Sequence, residues 1–161
     1  MTDSTAPELA ELAFPSQFLV WAARQWIRIS NPGEPAARRL CEAFEQVGAP
    51  HALVSLDAVL GTLATRARRR LDFRQTSDTL LGRDEQHLVE VIDALQAQPA
   101  DRSRCACVGT AYGIVTDWVG TAHLSSLQPR LADLAMQLGS AGLRVRCEAV
   151  RPHTSRTPPV H

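Results

Sequence analysis

Apolar residues return along most of this chain with the period of a helix. From Ser16 to Ile29, taken at about 100° per residue, Phe18, Leu19, Trp21, Ala22, Ala23, Trp26, Ile27 and Ile29 cover most of the circumference. They leave a narrow polar strip of Gln17, Arg24 and Arg28, and a helix apolar on most sides needs burial on most sides. The sequence SNPGEP at 30–35 stops this helix and starts a second, in which Ala37, Leu40, Cys41, Phe44 and Val47 form a stripe that ends at Gly48. Beyond Pro50, the positions Leu53, Leu56, Leu60, Leu63, Ala67 and Leu71 mark a third helix of about five turns. Leu88, Val91, Ile92 and Leu95 mark a fourth before Gln98-Pro99.

The stretch CACVGTAYGIVTDWVG at 105–120 fits two patterns. Its Val, Thr, Tyr, Ile and Trp content suits a strand. Val108, Ala111, Tyr112, Val115, Trp118 and Val119 nevertheless recur at helical intervals, with Ala106, Gly109, Gly113 and Gly120 as a small-residue face, and the spacing favours helix. Ser125 or Ser126 can cap a further helix carrying Leu127, Leu131, Leu134, Ala135 and Leu138, with Pro129 in its first turn and Gly139 and Gly142 at its end. LRVRCEAV then alternates Leu143, Val145, Cys147 and Ala149 against Arg144, Arg146 and Glu148, the period of a half-buried strand. The expected fold is therefore mainly α, a bundle of five to six helices with a short C-terminal strand. The alternative is α+β, with 105–115 and 143–149 as paired strands. A single domain over 8–150 is expected, flanked by polar tails at 1–7 and at 151–161, where RPHTSRTPPVH holds three prolines and no apolar period.

Composition changes this picture in three places. All basic residues are arginine, which with abundant Ala and Leu fits a GC-rich bacterial coding sequence. Seventeen bases balance seventeen acids, so the global basic excess usual in nucleic-acid binding is missing and any anion site must be local. The acidic N-terminus MTDSTAPELAELAF does not read as a secretory signal, and no apolar run approaches a membrane span, so a cytoplasmic protein with reduced thiols is expected.

Three groups of residues carry candidate chemistry. Phe14, Phe18, Trp21 and Trp26 are half of the chain's aromatics, and they read either as core or as the centre of a protein interface, where aromatics are enriched. Arg66, Arg69, Arg70 and Arg74 could hold a phosphate or nucleic acid. Projected on the third helix, however, the arginines of ATRARRRLDFRQTSD splay: Arg68 points away, Arg69 faces solvent, and Arg70 borders the apolar seam. Arg70 is thus expected to clasp Asp84 or Glu85 at the start of the fourth helix. Cys105 and Cys107 could share a metal only on a strand, and no paired ligand spacing accompanies them, so no cofactor is expected.

No phosphate-cradling, dinucleotide, nucleophile-elbow or metalloprotease motif occurs, and His87 reads as a solvated helix-start residue. The expected function is protein–protein interaction through the first helix, as an adaptor or regulator, with a protein partner or a second copy. Nucleic-acid binding is the first alternative and metal binding the second.

Overall fold

In a computed structural model of the chain, residues 6–29, 31, 33–97 and 106–147 are described, with only the backbone given for 106–108. Six α-helices follow one another: α1 (Phe14–Arg28), α2 (Pro35–Gln46), α3 (Pro50–Arg66), α4 (Arg83–Gln96), α5 (Ala106–Val119) and α6 (Leu124–Ser140). Proline in the first turn starts α1, α2 and α3, where its missing N–H costs nothing and its fixed φ suits a helix. Gly48 ends α2 at φ +75°, so that Ala49 N–H reaches back to Phe44 O at 2.9 Å; Gly142 at φ +80° closes α6 in the same way through Leu143 N–H and Leu138 O. Neither Ser125 nor Ser126 caps α6, which begins at Leu124 and carries Pro129 in its interior.

α3 and α6 run antiparallel down the middle, as the hydrogen bonds Ser55 to Asp133 and Arg130 to Thr62 require. α4 packs on α5 and α6, and α1 with α2 covers the other side. Leu56, Val59, Leu88, Ile92, Trp118, Leu127 and Leu134 fill the shared core. The bundle is therefore the mainly helical fold that the apolar spacing predicts, and residues 106–119 are helix rather than strand.

Two expected elements differ. α3 stops at Arg66 instead of running to Leu71, because Ala67 turns extended (φ −62°, ψ 136°) and Arg68 N–H bonds Trp118 O at 2.8 Å. Residues 67–82 then form a long connection, and the helical projection of Arg68, Arg69 and Arg70 no longer applies. The expected C-terminal strand is also absent among the described residues. Leu143 and Val145 are buried as expected while Cys147 is exposed, and side chains satisfy the backbone: Gln96 bonds Leu143 O and Val145 N, Ser16 bonds Arg146 O and N, and Asp93 takes Cys147 N. A buried edge needs only hydrogen-bond partners, and here helices α1 and α4 supply them.

Candidate functional site

The connection 67–82 lies across the polar strip of α1 and is tied down by two neighbouring acids at the start of α4. Glu85, wholly buried, accepts Arg24 Nε at 2.7 Å and Nη2 at 2.8 Å, together with Arg74 N at 2.9 Å and Gly82 N at 2.8 Å. Arg24, only 2 % exposed, also donates to Asp78 O through Nη1 and to Leu80 O through Nη2. Asp84 accepts both Nη atoms of Arg69, Asp72 N and the Trp118 indole N–H at 2.9 Å. Arg69 also grips Asp117 at 2.7 Å, so one guanidinium joins the connection to α4 and α5. Arg28 reaches Thr76, and Asp72 returns the favour by taking Arg83 N in the first turn of α4. Acids in this turn also meet the positive end of the helix.

Burial alone would raise the Asp84 carboxyl, but the hydrogen bonds from Arg69, the Asp72 N–H and Trp118 outweigh it and hold the group well below the usual carboxylate range. The Arg69 hydrogen bond likewise lowers Asp117, and the two carboxylates raise Arg69 in return. Nearly every donor and acceptor of this constellation is engaged. Its one irregularity is His87, 3.8 Å from Asp84, whose buried Nδ1 has no partner; the ring is largely covered rather than solvated.

The expected clasp is thus present with different arginines. Arg69, read as solvated, holds Asp84, while Arg24, read as part of the narrow polar strip of α1, holds Glu85; Arg70 is exposed and lends its carbonyl to Arg69. Of the four candidate anion binders, Arg69 is committed to carboxylates and Arg74 pairs with Asp72 at 3.3 Å, while Arg66 and Arg70 lie exposed. The structure therefore does not gather the four into one free cluster. Cys105 lies outside the described residues, Cys107 falls in the first turn of α5, and no metal-competent group of His, Cys, Asp or Glu occurs among the described residues. Among them, too, no helix is long and apolar enough to cross a membrane.

The aromatic group of α1 divides by depth. Phe18 is buried and meets Phe44 edge-on at 4.9 Å, and Trp26 donates its indole N–H to Asp57 at 2.8 Å. Phe14 is 60 % exposed, and Trp21 is half-buried with an indole N–H that bonds no described residue. Phe14, Phe18 and Trp21 form a continuous row, with ring centroids 6.0 and 5.8 Å apart. They line an open groove of about 410 Å³ between α1 and α2, completed by Leu9, Gln17, Ala43, Gln46 and Val47. Among the described residues no titratable side chain lines it, so these walls offer apolar contact and a few hydrogen bonds. Periodicity alone pointed to this face, since α1 has more apolar circumference than one neighbour covers. The Arg24 and Trp118 roles had no local signature, because their partners lie far away in sequence. No protein-family model, curated protein or solved structure matches this chain.

Proposed function

We propose that this protein acts by binding a polypeptide in the α1–α2 groove. The observation that carries the reading is the exposed apolar row: Phe14 stands 60 % exposed at the mouth of a groove walled by Phe18 and Trp21. Aromatics in such positions supply most of the affinity at protein interfaces, and a groove with apolar walls and sparse polar groups suits side chains better than a charged ligand. Trp21 and Gln46 can orient the occupant through hydrogen bonds.

The test compares the native protein with Phe14→Asp and with Val54→Asp, an exposed apolar site on α3. Phe14→Asp should weaken retention of a bound polypeptide, or self-association in light scattering, by roughly thirtyfold, the equivalent of about 2 kcal/mol. Its thermal midpoint should remain near native, and Val54→Asp should bind as the native chain does. Equal behaviour of the two variants would contradict the proposal.

A further inference from the structure

The occupant of this groove need not be a separate chain. We propose that the groove takes the C-terminal residues RPHTSRTPPVH (151–161), which thereby compete with other polypeptides for its walls; this rests on the groove being a polypeptide site. Three independent observations lead there.

The first is the chemistry of the walls. Proline-rich segments present rigid apolar rings and carbonyls without internal hydrogen bonds, and they are recognised by rows of aromatic rings with an N–H donor between them. Phe14, Phe18 and Trp21 form such a row, the Trp21 indole N–H bonds no described residue, and the Gln46 side chain is exposed at the rim. Residues 151–161 contain three prolines, among them the pair Pro158-Pro159.

The second is position. Arg146 is fixed to Ser16, in the first turn of α1, by hydrogen bonds of 2.7 and 3.0 Å. Cys147 lies beside Pro7 and Leu12, and the short turn Leu9–Glu11 leads directly from there to Leu9 in the groove wall. The described chain therefore ends on the Ser16 face of α1, on the other side of that helix from Phe14 and Phe18, and a helix is ~10–12 Å across. At ~3.1 Å per residue, ten residues such as 148–157 can span roughly 30 Å, more than twice the width of a helix.

The third is charge. The C-terminal segment carries Arg151 and Arg156 and no acid. Exposed Glu11 lies between Leu9 and Phe14, and exposed Glu42 sits one turn from Gln46 on the same row of α2. Exposed Arg39, one turn before Ala43, adjoins Glu42 and offsets its charge. Glu11 thus places an acid beside Leu9 and Phe14, opposite in sign to Arg151 and Arg156.

Fluorine NMR of the full chain labelled with 5-fluorotryptophan reads the three tryptophans separately, with Trp21 assigned through Trp21→Phe. In Pro158→Ala/Pro159→Ala, the Trp21 resonance should move while those of Trp26 and Trp118 stay, and adding the synthetic peptide RPHTSRTPPVH should move it back. In the native chain, the Trp21 resonance should be the same at high and low protein concentration. A Trp21 resonance unaffected by the proline substitutions overturns the proposal. If it responds instead to protein concentration, a second copy fills the groove and the polypeptide-site reading survives; if it responds to no polypeptide at all, that reading falls as well.

Discussion

Glu85 is a carboxylate with no route to water, and four hydrogen bonds make its burial tolerable: two from Arg24 and one each from Arg74 N and Gly82 N. Burying such a pair costs several kcal/mol per ion, which only full satisfaction of both partners offsets. Arg24→Met should therefore lower the unfolding free energy by about 3–5 kcal/mol in urea titrations, since it strands the Glu85 charge. Replacing both partners by apolar residues offers no rescue here, because Gly82 N and Arg74 N would lose their acceptor. Arg69→Ala should destabilise measurably more than Arg70→Ala, whose effect should stay within about 0.5 kcal/mol. The arginine-rich stretch announced that a clasp existed but not which arginine makes it, because identity depends on where α3 ends. That end is set by Arg68 N–H meeting Trp118 O, a contact between residues far apart in sequence.

Asp84 gives stability a definite pH dependence. Its folded pKa is lowered, so the unfolded chain takes up the proton first as pH falls. The stabilisation is fully present above the unfolded value of ~3.9 and is lost as pH drops below it toward the folded value. Urea midpoints measured from about pH 5 down to about pH 2 should fall steeply in the native protein and less steeply in Asp84→Asn, which lacks the titrating group. Equal slopes would mean that other carboxylates govern acid unfolding.

At the scale of elements, the connection 67–82 behaves as a packed component rather than a loop. Its approach to α4 is so close that a Cβ on Gly82 would lie 2.2 Å from Asp72 O, a backbone atom that cannot swing aside. Gly82→Ala should consequently cost about 1–3 kcal/mol, measured by thermal or urea unfolding. The C-terminal segment 143–147 depends on a different tie. Gln96 alone bonds Ala135 O, Leu143 O and Val145 N, so Gln96→Leu should abolish the slow hydrogen exchange of Val145 while leaving α6 protected. Helices were legible from apolar spacing because each buries one face locally. The C-terminal strand was misread because alternation reports burial, which Leu143 and Val145 do show, and says nothing about whether a strand or a set of side chains supplies the hydrogen bonds.

For the whole molecule, the two prominent features have opposite characters. The Arg24–Glu85 and Arg69–Asp84 network has nearly every donor and acceptor engaged, which fits a device that fixes the long connection against α1, α4 and α5. The α1–α2 groove leaves aromatic surface and an indole N–H unengaged, which is what a binding surface requires. The sequence pointed to this surface through an excess of apolar positions on α1, but it could not divide them into Phe18, turned inward, and Phe14, turned outward. That division depends on Phe44 of α2 occupying the inner side.

The most direct test places a photoreactive benzoylphenylalanine at position 14 of the full chain, with position 112, another exposed aromatic site, as the control. The account predicts that irradiation joins position 14 to a polypeptide, either residues 151–161 or a separate chain, in far higher yield than position 112. Crosslinking at position 14 that is absent, or no greater than at position 112, would contradict it.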